Sequence, residues 1–164
     1  MQLTSPDAVP PMSALIRAGG IVYDIEAATK SDLLRAMVAH LPVPPLSDRA
    51  RLLAAFEARE AKGSTGIGAG IAIPHVRDYL LLPVEVPFVT LCLVARPIDF
   101  DAIDRRPVHA LFIVVSPTVP IHLRILGQLG FLLRDATLAR MLERRAPADA
   151  IVQRIEEIEP KRPR

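Results

Sequence analysis

Apolar residues along the chain either alternate with polar ones or form short unbroken runs, and both patterns predict β-strands. Ile21–Ile25 alternates, whereas residues 71–73, 88–95 and 110–115 are almost continuously apolar. Unbroken apolar runs of this length are typical of strands buried on both faces of a sheet. The pattern therefore predicts a sheet whose central strands are covered on both sides.

Segments with helical spacing of apolar residues separate these strands. Each begins at a residue that caps or opens helices well, and the predicted starts are Ser31 with Asp32, Ser47 with Asp48, Pro120, Asp135 and Pro147. The second of these helices is predicted to end at Gly63 and the third at Leu133. Strands separated by helices predict an α/β domain with three layers, in which helices cover both faces of the sheet.

The connection between Ile98 and His109 is short, polar and contains proline, so it suits a hairpin better than a crossover helix. The sheet is therefore predicted to be mixed rather than wholly parallel. A length of 164 residues suits one domain with a sizeable core. We predict a loose N-terminal lead-in at residues 1–11, a domain at 12–159 and a basic C-terminal tail at 160–164.

Composition narrows the class of protein. Hydrophobic residues make up 51% of the chain, which excludes a disordered or linker-like protein. The formal net charge is +2, and a short basic tail is more typical of a solvated end than of a nucleic-acid arm. With two tyrosines, five phenylalanines and no tryptophan, the chain offers little surface for base stacking. We therefore expect no nucleic-acid partner.

The most apolar window, residues 79–98, contains Glu85 and three prolines that a membrane-spanning helix would not accommodate together. The N-terminus lacks the pattern of a secretory signal. A cytoplasmic protein with no membrane insertion is the expectation. The single cysteine, Cys92, lies within an apolar run and is interpreted as a small buried hydrophobic residue.

The candidate chemistry lies in a glycine-rich segment that ends at a histidine. Glycine at positions 63, 66, 68 and 70 allows the backbone N–H groups to approach a ligand, and Ser64 and Thr65 add hydroxyl donors. A short apolar strand and Pro74 follow, so that His75 is presented at a strand end. A nucleophilic nitrogen beside donors for an anion predicts a phosphoryl acceptor. The arrangement requires no metal and no bound cofactor.

Two nucleotide-binding interpretations of this loop fail. The order Lys62, Gly63, Ser64 is wrong for a Walker A loop, and the glycines precede a strand instead of following one, as a dinucleotide-binding fingerprint would require. A tight loop whose glycines serve only a bend, with His75 an ordinary surface residue, remains open.

Arg59 and His122 are two further candidates. On the predicted helix Arg59 lies about 20° from Leu52, near the middle of the apolar stripe. It either reaches solvent past that stripe or meets an anion at the glycine loop. His122 shares an apolar helix face and lies in the first turn after Pro120, so it is either a satisfied core histidine or a donor near the anion. His40 and His109 are interpreted as surface or structural residues.

The thirteen residues from Gly63 to His75, G-S-T-G-I-G-A-G-I-A-I-P-H, closely resemble the active-site signature of the fructose/mannitol and nitrogen-regulatory EIIA family of the bacterial phosphoenolpyruvate-dependent phosphotransferase system. The similarity continues at Leu15, Ile16, Ile21, Thr29, Lys30, Arg59, Glu60, residues 97–102, Asp104, Pro107, Val108, Ser116, Pro117 and residues 122–124. It implies a mixed sheet with helices on both faces. It also implies that His75 carries a phosphoryl group, flanked by Arg59 and His122, and that the donor is an HPr-like carrier protein.

Within this resemblance two functions stay open: a nitrogen-branch regulator of other proteins, and a sugar-uptake component that passes the phosphoryl group to an EIIB partner. The single-domain length favours the regulator. A binding module that has lost phosphorylation is weakened by the presence of His75, Arg59 and His122 together. Val76 and His109 depart from the family pattern, and Val76 is expected to narrow the mouth of the site. A docking rim is expected at Ile67, Ile71, Val76 and residues 79–81.

Overall fold

The computed structural model of the chain describes residues 8–44, 48–76 and 84–162. Its elements, in chain order, are α1 (Met12–Gly19), β1 (Ile21–Ile25), α2 (Lys30–His40), α3 (Arg49–Ala61), β2 (Gly66–Gly68), β3 (Ile71–Ala72), β4 (Phe88–Ile98), β5 (Val108–Val115), α4 (Val119–Leu132), α5 (Ala136–Glu143) and α6 (Ala148–Ile158). A 3₁₀ turn at Glu159–Lys161 follows α6.

The five strands form one sheet in the order β1-β4-β5-β3-β2. The β1–β4 and β3–β5 pairs are parallel, whereas β4–β5 and β2–β3 are antiparallel. The long β4–β5 pair places Phe88 opposite Val115 and Leu91 opposite Phe112. The predicted mixed sheet and the predicted hairpin between β4 and β5 are therefore both confirmed.

Helices cover both faces of this sheet, as predicted. On one face, α2 and α3 bury apolar side chains against the sheet, including Leu33, Met37, Leu52, Phe56, Cys92 and Ile113. On the other face, α1, α4, α5 and α6 do the same, with Leu15, Ile125, Leu129, Leu142, Ile155 and Phe112 among the buried residues. The strands β4 and β5 contribute to both clusters because alternate side chains point to opposite faces.

Capping residues begin most of the helices where the pattern places them. The Asp48 side chain accepts from the Arg51 N–H at the start of α3, and Asp135 does the same for Leu138 at the start of α5. Pro147 precedes α6, and Pro120 lies in the first turn of α4. Ser47, the other half of the predicted α3 cap, lies outside the described residues.

Three details differ from the prediction. The N-cap of α2 is Thr29, whose hydroxyl accepts from the Asp32 N–H, so this helix begins before the expected Ser31. The helix α1 was not predicted, although its buried residues recur at helical spacing. The strand β2 was not predicted either, because two of its three residues are glycine and pairing with β3 alone defines it.

Glycine at position 19 lets α1 approach the sheet closely. A Cβ at Gly19 would lie 2.1 Å from the Val89 carbonyl oxygen of β4, so no larger residue fits there. The Thr90 hydroxyl of the same strand donates to the Gly19 carbonyl at 2.9 Å. The first helix is thereby fixed across the centre of the sheet.

The two ends of the described chain meet on the α1 side. Residues 1–7 of the predicted lead-in lie outside the described residues, but Pro10 accepts a hydrogen bond from Gln128 at 3.1 Å and Val9 packs against the apolar core. At the other end, the Glu159 carboxylate accepts from the Ser13 N–H and hydroxyl at 2.7 and 2.9 Å. Within the described ranges, every helix is too short or too polar to cross a lipid bilayer.

Candidate functional site

His75 lies at the end of β3, where the strand leaves the sheet. It forms an isolated parallel bridge with Val114 of β5, and the Val114 N–H donates to the Pro74 carbonyl at 3.2 Å. The side chain is 9% exposed, so that it sits just below the surface. The position at a strand end is the one that the sequence predicts.

Hydrogen bonds at both ring nitrogens define the state of His75. Its Nδ1 lies 3.0 Å from the Ile73 carbonyl oxygen, which can only accept, so Nδ1 carries the proton. Its Nε2 lies 3.2 Å from Nε of Arg59, which can only donate, so Nε2 presents a lone pair. The proton position is inferred from these partners. His75 is therefore a neutral imidazole whose nucleophilic nitrogen is Nε2.

Arg59 reaches His75 from the last turn of α3. Besides the bond to His75, its Nη1 donates to the Gly63 carbonyl at 2.9 Å. The side chain is half-buried, on the same helix as the core residues Leu52 and Phe56. The structure thus places the guanidinium at the histidine and not simply out in solvent.

His122 completes the group from the first turn of α4. Its side chain is 6% exposed, and its ring centroid lies 4.8 Å from that of His75 with a tilt of 45° between the planes. The N-terminus of a helix carries a partial positive charge and unpaired N–H groups, which favour an anion close by. Three residues from three elements, predicted separately, therefore meet at one place.

The two hydroxyls of the glycine-rich segment point elsewhere. The Thr65 hydroxyl donates to the Glu60 carboxylate at 2.6 Å, and the Ser64 hydroxyl donates to the Phe100 carbonyl at 2.6 Å. A hydroxyl has one proton, so neither has a second to offer a ligand in this arrangement. The expectation that they face an anion needs correction on this point.

The later glycines of the segment build a tight turn between β2 and β3. Gly68 and Gly70 adopt positive φ angles of 99° and 76°, and the Ala69 N–H between them donates to Asp104 at 2.8 Å. A Cβ at Gly70 would lie 2.1 Å from Nδ1 of His109, so a side chain is excluded there. Gly68 and Gly70 therefore serve a tight bend, which was the alternative interpretation of the glycines in the sequence analysis.

The sequence interpretation missed a buried carboxylate beside Arg59. Glu60 is 7% exposed, and Lys30 of α2 lies 2.8 Å from it. A signal existed, since Glu60 follows Phe56 by four residues and Leu52 by eight, which is the spacing of the apolar stripe. A charged residue at that position had to find partners inside the protein.

The apolar rim differs from the expected one. Ile71 and Val76 are buried, and Val76 packs into the core beneath α2 and α3, so it does not narrow the mouth of the site. Ile67 is exposed as expected, and residues 79–81 lie outside the described ones. Val119 and Leu123, which flank His122 on α4, are exposed large hydrophobic residues that the prediction omitted.

The other polar candidates lie apart from this group. His109 stands five residues before Val114 on β5, roughly 16 Å along the strand at about 3.3 Å per residue. Burial raises the pKa of the Cys92 thiol to about 12, which keeps it protonated and unreactive. Across the part of the chain that the structure describes, no group of three or more histidine, cysteine or acidic side chains could hold a metal ion.

The chain is similar to known proteins both in sequence and in fold. Residues 14–158 match the family described as "Phosphoenolpyruvate-dependent sugar phosphotransferase system, EIIA 2". A nitrogen regulatory protein of Pseudomonas aeruginosa is 30% identical over 152 residues, which cover 90% of this chain and 96% of that protein. The fructose-specific EIIABC component of Bacillus subtilis is 28% identical over 144 residues, covering 86% of this chain and 22% of that protein. The crystal structure of nitrogen regulatory protein IIA-Ntr from Neisseria meningitidis superposes with a TM-score of 0.71 and 27% identity, covering 82% of this chain and 92% of that one.

Proposed function

The chain belongs to the EIIA 2 family of the phosphoenolpyruvate-dependent sugar phosphotransferase system, and from this premise we propose that His75 accepts a phosphoryl group and passes it on. The observation that carries the proposal is the pair of hydrogen bonds on the His75 ring. Nδ1 donates to Ile73, and Nε2 presents its lone pair beside the Arg59 guanidinium. A neutral imidazole next to a fixed cation suits attack on an anionic phosphoryl group.

The transfer exchanges one nitrogen–phosphorus bond for another. The Nε2 lone pair of His75 forms a bond to phosphorus while the bond to the imidazole nitrogen of a phosphohistidine donor breaks, and the donor imidazole keeps the electron pair. Arg59 moves from the lone pair to the equatorial oxygens, where its planar fork matches their geometry. His122 donates an N–H to the same oxygens. Catalysis is then positioning and electrostatic stabilisation, which is what phosphoryl transfer demands of a protein.

The glycine-rich segment takes a supporting part in this proposal. The Gly63 carbonyl holds the Arg59 guanidinium, and the Thr65 carbonyl accepts from the Ile73 N–H at 3.0 Å just before His75. Of the donors in the predicted loop, the Gly66 N–H already donates to the Ser64 hydroxyl at 3.0 Å, and Gly68 lies in the turn before β3. The Ser64 N–H is therefore the backbone donor proposed for phosphoryl contact. No metal and no bound cofactor enters the mechanism.

An HPr-like phosphocarrier is the proposed donor, and the cytoplasm is the proposed location. The exposed Val119 and Leu123 flank His122, and a carrier that covers them would exclude water from the transfer.

A regulatory role is the better supported of the two functions that the sequence leaves open. The Pseudomonas relative carries the name nitrogen regulatory protein and matches this chain over nearly its whole length. We propose that the phosphorylation state of His75 controls binding to other proteins, since a phosphoryl group changes both the charge and the hydration of the surface around it. The alternative is a fructose/mannitol-type EIIA that passes the phosphoryl group to an EIIB component. The similarity to the Bacillus protein supports this alternative.

The phosphoryl acceptor is tested by substitution. His75→Ala should abolish acid-labile, base-stable labelling by a phosphorylated carrier, and His40→Ala, which changes an exposed histidine at the end of α2, should retain it. Intact mass and gel shift report the modification. Full labelling of His75→Ala would refute the assignment of the acceptor.

The regulatory role needs a different experiment. Wild type and His75→Ala, each with and without the phosphoryl donor, are used to capture partners from cell extract. Regulation predicts a partner whose capture changes with phosphorylation of the wild type and not with treatment of the variant. Capture of an EIIB component alone, followed by passage of the phosphoryl group from His75 to it and on to a sugar, would decide for transport.

A further inference from the structure

Glu60 is a buried carboxylate whose oxygens are almost fully engaged by the glycine-rich segment. The Thr65 N–H donates to its two oxygens at 3.0 and 3.1 Å, and the Thr65 hydroxyl donates at 2.6 Å. Burying a charge is costly unless such partners compensate for the lost water. The three bonds therefore hold Thr65 firmly to the end of α3.

Lys30 supplies the countercharge from α2. Its ammonium lies 2.8 Å from a Glu60 oxygen, 3.1 Å from the Phe100 carbonyl and 4.6 Å from the centre of the Phe100 ring. It also contacts Asp101 at 3.2 Å, although that carboxylate is mostly exposed. Carbonyl, ring and two carboxylates together place the ammonium at one point, which ties α2 to α3 and to the loop after β4.

This cluster connects to His75 through the main chain. The Thr65 carbonyl accepts from the Ile73 N–H at 3.0 Å, and the Ile73 carbonyl accepts from Nδ1 of His75 at 3.0 Å. A change in the position of Thr65 therefore moves the carbonyl that determines which ring nitrogen of His75 holds the proton. Glu60 also directly follows Arg59, whose guanidinium faces the other ring nitrogen.

We propose that Lys30 and Glu60 are positioning residues, which act through Thr65 and Ile73 to keep His75 in the Nδ1-protonated form with Nε2 directed at Arg59. A buried ion pair adds little net stability on average, so a role in geometry accounts for this pair better than a role in folding. The inference deepens the proposed function and rests on it for the effect on transfer. Its effect on the His75 ring can be measured without any phosphoryl donor.

Glu60→Gln tests the proposal with minimal change of shape. The amide group has one acceptor in place of two and brings its own donors toward the Thr65 N–H, so the loop loses part of its anchor. Glu57→Gln is the matched control, because Glu57 lies one turn earlier on α3 and bonds only to Ser31 among the hydrogen bonds described. Both variants are compared with wild type by thermal unfolding to verify the fold.

Two measurements read the outcome. Nitrogen-15 spectra of labelled histidine show which ring nitrogen of unphosphorylated His75 holds the proton, and phosphoramidate, a small donor without a docking surface, gives the transfer rate. Glu60→Gln should shift His75 away from a single Nδ1-protonated form and slow transfer by roughly 10- to 100-fold, since small misplacement of a reacting group is costly. Glu57→Gln should change neither. Wild-type ring spectra and a wild-type rate in folded Glu60→Gln would overturn the proposal.

Thr65 variants keep the test usable if Glu60→Gln fails to fold. Thr65→Val keeps the shape but removes the hydroxyl that Glu60 accepts from, whereas Thr65→Ser keeps the hydroxyl. The valine variant should show the altered ring state and slower transfer, and the serine variant should restore both. Equal behaviour of the two variants would contradict the relay. If wild type shows the Nδ1-protonated ring but accepts no phosphoryl group from any donor, the proposed function fails while the positioning network stands.

Discussion

The two faces of the sheet are built in different ways. Beneath α2 and α3 lies Glu60, the one carboxylate that is buried among the residues the structure describes, together with its partner Lys30. The face covered by α1, α4, α5 and α6 keeps its ion pairs nearer water, as where Arg154 of α6 donates to both oxygens of Asp135 at the start of α5. That contact lowers the pKa of the Asp135 carboxyl, and it joins two helices without enclosing a charge.

The comparison indicates that α5 and α6 mainly stabilise the fold, whereas α2 and α3 also position the residues around His75. The α5 and α6 side packs like an ordinary core, where apolar contacts supply stability and surface pairs add little. On the α2 and α3 side, the carboxylate of Glu60 is removed from water. Only two residues, Thr65 and Ile73, lie between it and His75 in the chain of hydrogen bonds. Substitutions in α5 and α6 should therefore act on stability, and those in α2 and α3 should also act on phosphoryl transfer. The helix α4 packs with α5 and α6 but also brings His122 to His75.

The largest effects are expected from two leucine-to-alanine substitutions, one on each face of the sheet, which test whether the two faces differ in their influence on transfer. Leu52→Ala in α3 and Leu142→Ala in α5 remove the same side chain from fully buried positions on opposite faces. Each should lower the free energy of unfolding by about 2–5 kcal/mol, measured by denaturant titration. Only Leu52→Ala should also slow transfer by the folded protein, because α3 carries Arg59 and Glu60.

Equal transfer rates in these two variants, measured where both are fully folded, would show that α3 has no greater influence on transfer than α5. A slower rate in Leu142→Ala alone would show that α5 has the greater influence. The rate with phosphoramidate is the appropriate measure, since docking of a partner does not contribute to it.

Arg59→Lys tests whether the guanidinium of Arg59 takes part in phosphoryl transfer. Lysine keeps the charge but loses the planar fork and the bond from Nε to His75, so transfer should slow by roughly 10- to 1000-fold, or about 1.4–4 kcal/mol of transition-state stabilisation. The melting temperature should change little, because the side chain is half-buried and the core is untouched. A wild-type rate would mean that the guanidinium only packs beside the histidine. Arg51→Lys, at an exposed position near the start of α3, is the matched control and should behave as wild type.

His109, which lies on β5 beside α5, gives the smallest effect. Removal from water lowers the pKa of its imidazole, an effect that Glu143 of α5 partly opposes. The unfolded chain then binds a proton more readily, so stability is present above the ordinary pKa near 6.5 and is lost as the pH falls from there through the lowered folded pKa.

The dependence should stay well below about 1.4 kcal/mol per pH unit, the limit for one proton, because the ring is only half-buried. His109→Gln should reduce the fall in melting temperature between pH 7.5 and pH 5.5, while transfer at pH 7.5 stays as in wild type. An identical fall in the variant would show that other groups cause the pH dependence.

The sequence predicts the sheet and the residues around His75 better than it predicts the hydrogen bonds that position the glycine-rich segment. Unbroken apolar runs identify the buried strands, and the helical positions of Arg59 and His122 direct them toward His75, so these features follow from local patterns. The partner of Ser64 does not, because Phe100 approaches it only through the tertiary fold, whereas Glu60 lies five residues before Thr65 and was missed despite its position on the apolar stripe of α3. The strand β2 escapes prediction because its pairing and not its residue types makes it a strand.

The central claim is that Nε2 of His75 forms the bond to phosphorus, and the direct measurement is nitrogen-15 and phosphorus-31 spectroscopy of the phosphorylated, histidine-labelled protein. The account predicts one phosphoryl group per chain, with phosphorus coupled to Nε2 of His75 and the proton retained on Nδ1, where Ile73 accepts it. Phosphorus coupled to Nδ1 of His75, or to any ring nitrogen of His40, His109 or His122, would contradict it.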